Sequence, residues 1–268
     1  DRYVTLKEDD AREFEALAAG IKAVSTWNTT RTLQECREAC GGNGYLAVNQ
    51  LGSLKADTEI FTTFEGDNTV LMQLVAKGRL SEFRQNFSSM NFFGMIRFFG
   101  QQAGTLLTEL NPIITRSRDE AHLRDRDFHL AAFRYHEDHM VMGAARRLQK
   151  RIKDGMDPYD AFIELQNHLI NLAHAYMDRV VLECFGEAVD QAPERLKPVL
   201  ERLRQLFALV KMEENKSWYL EYGYLEAAKS KAISMQVEKL CGEIRQDALP
   251  LVDAFDIPDA CLAAPIAL

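Results

Sequence analysis

Residues 9–39 read DDAREFEALAAGIKAVSTWNTTRTLQECREA. The apolar residues Phe14, Leu17, Ile21, Val24 and Trp27 recur every three or four positions, the spacing that lines one face of an α-helix. The run ends at Gly41-Gly42-Asn43-Gly44, a strong helix stop because glycine readily turns left-handed at a helix C-terminus.

The same period dominates the rest of the chain. Tyr45 to Phe64 reads as irregular, with Gly52 and the threonines Thr58, Thr62 and Thr63. Helix resumes at Thr69–Lys77 and stops near Gly78. Phe83 to Gly104, rich in Phe and Gly, reads as helix or packed loop. Phe128 to Lys153 is a long helix closed by Gly155, and Asp157-Pro158 opens the next. Asp160 to Ala188 carries Phe162, Leu165, Leu169, Leu172 and Tyr176 on one face. Pro193 opens another helix with Leu196, Leu200, Leu203, Phe207 and Val210. A further pair follows over 215–230 and 231–249, closed by Pro250. No segment alternates as a strand does, so the fold class is all-α. The polar run Thr115 to Asp127 marks the boundary between two parts, residues 1–114 and 127–268.

The 268 residues are 47% hydrophobic and 27% charged, the balance of an ordinary globular protein that needs no metal or disulfide to build its core. A net charge of −8 argues against a nucleic-acid partner, which requires clustered Lys and Arg. No apolar run reaches the ~20 residues of a membrane span, and the polar start resembles no signal or transit peptide. The odd count of five cysteines without a C-x-x-C pair predicts buried free thiols in a reducing compartment. Sequons at Asn28, Asn86 and Asn215 are then coincidental.

Three stretches carry candidate chemistry. His136-Glu-Asp-His139, with His129 and His168, has metal-ligand spacing on one helix face. A di-metal helical bundle needs two Glu-x-x-His motifs, and the chain has none. The expectation is no metal, with the histidines on a polar helix face or an interface. Gly41-Gly42-Asn43-Gly44 follows a helix instead of opening one, so it is a C-cap and turn and not a phosphate cradle. A ligand role there requires close backbone approach, which glycine permits. The third stretch is Phe61-Thr-Thr-Phe64-Glu65-Gly66-Asp67-Asn68-Thr69-Val70. Asp67 or Asn68 suits an N-cap, but capping needs neither Glu65 nor Gly66. Phe64 would partly desolvate the Glu65 carboxylate, as a general base requires, and Gly66 would admit a substrate close to the backbone.

Glu35-Cys-Arg-Glu-Ala-Cys-Gly-Gly-Asn-Gly-Tyr45 followed by Thr63-Phe-Glu-Gly-Asp-Asn-Thr-Val70 resembles the acyl-CoA oxidases of the acyl-CoA dehydrogenase superfamily. Ala19 to Trp27 and Val252 to Pro258 look like the same family. The resemblance implies that Glu65 is the catalytic base that takes the α-proton of an acyl-CoA, and that its backbone N–H bonds the thioester carbonyl. It implies substrate contact at Glu65 and Gly66, and FAD as cofactor near Gly41, Gly42, Asp67 and Thr69. The Gly41-Gly42 turn would lie against an FAD often held by a partner subunit. Where the superfamily often has Gln three residues before its Gly-Gly, this chain has Glu38. Trans-2-enoyl-CoA and, with dioxygen as acceptor, hydrogen peroxide are the implied products.

The family also carries an N-terminal helical domain and a β-barrel domain, which this chain lacks. The isolated chain is therefore expected to bind FAD weakly or not at all and to be inactive. Residues 1–114 correspond to part of the catalytic helical domain and 127–268 to the oxidase-type helical extension, packed in a homodimer. The apolar faces of that extension read as core, not as an acyl tunnel. The alternatives are a dehydrogenase that reduces an electron-transfer flavoprotein, and a non-catalytic helical interaction module of the same fold. The end Ala-Pro-Ile-Ala-Leu268 lacks a Ser-Lys-Leu-like address, so a bacterial cytoplasm is expected, or a peroxisome if the source is eukaryotic.

Overall fold

The computed structural model describes residues 8–87, 117–262 and 264–267. Helices α1 (Glu8–Ala39), α2 (Leu51–Glu59), α3 (Asn68–Phe87), α4 (Glu120–Leu123), α5 (Arg126–Lys153), α6 (Pro158–Glu164), α7 (Gln166–Gln191), α8 (Lys197–Glu214), α9 (Lys216–Glu221), α10 (Ala227–Ile244) and α11 (Ala248–Asp253) follow in order, with short 3-10 turns between some of them. No strand occurs among the described residues. The fold is all-α.

Two compact units divide the chain, one formed by Asp1–Ser81, Ala144–Met177 and Asp253–Leu268, the other by Glu82–Gly143 and Asp178–Val252. In the first, α1 buries Ala16, Ala19, Gly20 and Ala23. Of the expected face, Leu17, Val24 and Trp27 are only half-buried, and Phe14 and Ile21 stand about half exposed. Small residues win because neighbouring helices come close. A Cβ on Gly20 would fall 2.3 Å from Met177 Sδ of α7, and one on Gly78 only 3.1 Å from the Ala16 Cβ. Gly78 is thus a close-approach point inside α3, not the expected stop. Trp27 stacks on His174 with ring centroids 5.4 Å apart, and the Arg79 guanidinium lies over Tyr176. Leu165, Leu169, Leu172 and Tyr176 are buried as their spacing predicts.

Local signals explain most helix ends. Gly155 at φ 95 terminates α5, and the N–H of Met156 reaches back to Arg151 O at 3.0 Å, as in a Schellman cap. Asp157 accepts from the N–H of Tyr159 at 2.8 Å at the start of α6. The stretch expected as one helix from Asp160 breaks at Leu165 between α6 and α7. Tyr45 to Phe64, expected to be irregular, contains α2, whose end is tied by threonine hydroxyls bonding back to carbonyls: Thr58 to Lys55, Thr62 to Glu59 and Thr63 to Ile60. Pro250 does not close a helix. It sits in the first turn of α11, where its missing N–H has no helical partner to lose. Residues 88–104, the rest of the Phe/Gly-rich run, lie outside the described residues.

The second unit packs α8 against α10 around Phe128, Phe133, Leu182, Leu209, Met212, Tyr219, Ile233 and Leu240. On α8 the buried positions are Arg204, Ala208, Leu209 and Met212, one step round from the expected Leu203, Phe207 and Val210. The shift admits Arg204 to the interior, where it bonds Glu201 at 2.8 Å. The polar run at 117–127 is ordered by ion pairs: Arg124 grips Glu243 through both guanidinium arms, and Arg126 bonds Glu201 and Asp190.

Candidate active site

The Glu65 turn joins a 3-10 turn at Ile60–Thr62 to α3. Glu65 has φ 57 and Gly66 φ 101, two consecutive residues in the left-handed region. For a glutamate this is an uncommon and strained setting that persists only where surrounding structure holds it. Gly66 is required twice over, by its φ and because an added Cβ would meet Leu71 Cδ2 at 3.0 Å. Asp67 caps α3, its Oδ1 accepting from the N–H of Thr69 at 2.9 Å and of Val70 at 3.3 Å. Asn68, the other capping candidate, is buried and turns its side chain toward α1 instead. It donates to Thr26 Oγ1 at 2.8 Å and Ala23 O at 3.3 Å. Lys22 Nζ donates to Gly66 O at 2.7 Å and Asn68 Oδ1 at 2.8 Å. Sequence reading missed Lys22 and Thr26, whose partners lie more than 40 positions away.

The Glu65 side chain is exposed, and the expected shielding by Phe64 is not seen. That ring packs edge-on against Phe61 with centroids 4.8 Å apart, and both are largely exposed. No hydrogen bond ties the Glu65 carboxylate or its backbone N–H to the described residues. Thr69 is exposed in the first turn of α3. The Gly41–Tyr45 turn is braced from inside. Arg37 Nε donates to Gly44 O at 3.2 Å, and the buried Asn49 donates to Asn43 O at 2.8 Å. A Cβ on Gly44 would stand 2.0 Å from Arg37 O. Gly41 has the left-handed φ of a C-cap, 56. At Gly41 and Gly42, by contrast, a Cβ would meet nothing within 4 Å. At Gly42 neither packing nor a positive φ asks for glycine, leaving bare backbone open to a ligand. Glu38 is occupied on the helix surface, accepting from Gln34 at 2.6 Å.

Two of the four histidines expected on a polar face or an interface lie elsewhere, while His139 and His168 are half-buried. His129 and His136 are buried in the second unit, because α5 turns them toward Arg204 and the aromatic residues of α9. His136 packs on Trp218 at 4.2 Å between centroids, and burial, then neighbouring His139, pushes its pKa down to about 4. His129 Nε2 donates to Leu123 O at 2.8 Å, leaving Nδ1 to face Arg204. Burial and then that guanidinium push its pKa down to about 4. His168 pairs with Arg147. Among the described residues, no group of three or more His, Cys, Asp or Glu could hold a metal, and no helix is long and apolar enough to cross a membrane. The cysteines are free but not buried: Cys36, Cys184, Cys241 and Cys261 are exposed and Cys40 is half-buried. Cys241 follows buried Leu240, and one step along a helix turns a side chain ~100° away.

The exposed Glu65 carboxylate thus stands on a left-handed turn ahead of α3, and Gly42 is bare backbone in the turn that follows α1. Two family models match most of the chain, "Acyl-CoA oxidase" over residues 125–268 and "Acyl-CoA oxidase, C-alpha1 domain" over residues 2–80. Acyl-coenzyme A oxidase 2, peroxisomal, of Arabidopsis thaliana is 39% identical over 100% of this chain and 39% of its own length. The crystal structure of acyl-CoA oxidase 1 from Yarrowia lipolytica superposes with a TM-score of 0.85 at 28% identity, over 97% of this chain and 37% of that one. Acyl-CoA oxidase-1 of Caenorhabditis elegans, solved with FAD and ATP, shares the fold with a TM-score of 0.81 at 19% identity, over 98% of this chain and 39% of that one. The chain belongs to the acyl-CoA oxidase family. It spans about two fifths of the length of the curated relatives it matches and corresponds to their C-terminal portion.

Proposed function

We propose that this chain is the base-bearing portion of an acyl-CoA oxidase that converts acyl-CoA to trans-2-enoyl-CoA in fatty-acid β-oxidation, with Glu65 as the base. The observation that carries the reading is the Glu65 turn itself: an exposed carboxylate and a backbone N–H with no hydrogen-bond partner among the described residues, on a left-handed backbone. The α-proton of the thioester passes to a Glu65 carboxylate oxygen. The Glu65 N–H donates to the thioester carbonyl oxygen and stabilises the negative charge that develops there, which makes a weak carbon acid removable. Gly66 keeps the turn free of a side chain where the acyl group approaches.

The residues present fit FAD, because at Gly41 and Gly42 no described atom would meet an added Cβ within 4 Å, which leaves their backbone open. Those two glycines would lie against the cofactor, with Asp67 and Thr69 near it at the start of α3. When bound, FAD would supply the acceptor for the β-hydrogen, with dioxygen as the final electron acceptor and hydrogen peroxide as its product. The relatives reported above are named oxidases, which supports dioxygen over an electron-transfer flavoprotein as the acceptor, and a match to both helical segments supports an enzyme over an interaction module. They also favour a peroxisome over a bacterial cytoplasm. We assign residues 1–114 to the catalytic helical domain and 127–268 to the oxidase-type extension. Exposed Leu46, Val48, Ile60, Phe61 and Val70 support burial of the first unit against further protein, such as a homodimer partner.

Glu65→Gln in the complete enzyme is expected to lower peroxide release with acyl-CoA by about 10²- to 10⁴-fold while FAD stays bound, because the amide cannot take the proton. Retained exchange of the α-proton with D₂O in that variant would remove Glu65 as the base. The isolated 268 residues are expected to carry no stoichiometric yellow FAD.

A further inference from the structure

The turn that carries Glu65 is held from α1 as well as by the Asp67 cap of its own loop. Within just over one helical turn, Lys22, Ala23 and Thr26 supply every side-chain or carbonyl partner of the Gly66–Asn68 step described above. Thr26 Oγ1 donates back to Lys22 O at 2.9 Å, closing the network on itself. An ammonium offers three N–H donors and no acceptor, and its bonds to carbonyl oxygens are strengthened by the charge. Two of the three hold Gly66 O and Asn68 Oδ1, one on each side of Asp67. Glycine is the residue whose backbone drifts most readily, and Glu65 beside it sits in a conformation that glutamate does not prefer. Release of Gly66 O would let that pair rotate, and both the Glu65 carboxylate and its N–H would lose their aim.

We propose that Lys22 is a positioning residue for the reaction: with Asn68 and Thr26 it sets the direction of the Glu65 carboxylate and N–H toward the acyl thioester. The inference rests on the assignment of Glu65 as the base. The Glu65 carboxylate is exposed and takes its direction from the backbone that these bonds help to hold, and proton transfer is sensitive to ångström-scale misplacement. A lysine that merely stapled α1 to α3 would affect folding and cofactor retention, not the proton-transfer step.

The test uses the complete FAD-loaded enzyme. Lys22→Met keeps the apolar stem and removes the donors. The expected result is a kcat lowered about 10- to 100-fold, with α-proton exchange into D₂O slowed by a similar factor and KM within about threefold. Lys22→Arg, which restores a charged donor, is expected to recover most of the loss. Wild-type kcat and exchange in a folded, FAD-loaded Lys22→Met enzyme would overturn the proposal. Thr26→Val, which removes the acceptor that orients Asn68 together with the hydroxyl's bond back to Lys22 O but leaves the Lys22 ammonium in place, covers the case in which Lys22→Met does not fold. It is expected to slow exchange about three- to tenfold with full FAD content, and unimpaired exchange there overturns the proposal as well. Glu65→Gln run in parallel separates the two readings. Activity surviving in that variant removes the base, whereas an inactive Glu65→Gln beside an unimpaired Lys22→Met removes only the positioning role.

Discussion

Three glycines within four residues do three different jobs. Gly41 turns left-handed at the end of α1, Gly44 leaves room for the Arg37 carbonyl, and Gly42 is required by neither backbone nor packing. The contrast predicts opposite outcomes for one chemical change. Gly44→Ala places a methyl 2.0 Å from a backbone oxygen that cannot swing away, and is expected to destabilise the protein by about 1–3 kcal/mol in guanidinium unfolding. Gly42→Ala meets nothing and is expected to leave the unfolding midpoint unchanged. If Gly42 lies against FAD, the same variant loses cofactor faster on dilution, read as flavin fluorescence released to solution. A stable Gly42→Ala protein with undiminished FAD retention would take Gly42 out of the proposed cofactor site.

At the scale of elements, α1 is organised by its smallest residues. Ala16, Ala19, Gly20 and Ala23 form the buried stripe, and Gly78 of α3 comes against Ala16. Close approach gains dispersion contacts along two backbones, and it leaves no room for a branched side chain. Gly78→Val is therefore expected to cost roughly 1–3 kcal/mol through overpacking, beyond any change in helix propensity. Ile21→Val on the half-exposed face should stay within about 0.5 kcal/mol. Equal midpoints for the two variants in thermal unfolding would contradict the close packing of α1 and α3. The same closeness lets a lysine on α1 reach the carbonyl of Gly66.

At the scale of the whole molecule, the second unit keeps ionisable groups inside and stability follows their charge states. Burial opposes the charge of Glu201, but hydrogen bonds from Arg204 and Arg126 outweigh it and hold its carboxyl below its usual range. His129 and His136 titrate near 4 in the folded protein and near 6.5 when unfolded. Unfolding therefore takes up a proton at each between these values, so stability is full above about pH 6.5 and falls as pH drops toward 4. Each histidine contributes up to ~1.4 kcal/mol per pH unit across that window. Guanidinium unfolding at pH 7.5, 6.0 and 5.0 should show this decline, and His136→Phe should make it shallower. A flat profile from pH 7.5 to 5.0 would mean that the two imidazoles are not held neutral.

The helices themselves were legible from residues near one another in the chain. The 3.6-residue period, the Gly41 and Gly155 stops, the Asp157-Pro158 start and a cap at Asp67 or Asn68 act through bonds spanning five residues or fewer, so local sequence determined them. The spacing of Leu165, Leu169, Leu172 and Tyr176 also predicted their burial correctly. Other features depend on partners far along the chain. Tertiary structure selected the small face of α1 over Phe14 and Ile21, carried α3 through Gly78 and buried His129 and His136 with Arg204 and the α9 aromatics. It also brought Lys22 to Gly66 across 44 positions. Sequence marked Glu65 as a carboxylate that helix capping did not need. The left-handed backbone that presents it, and the α1 side chains that hold that backbone, came from helix packing, which no local pattern encodes.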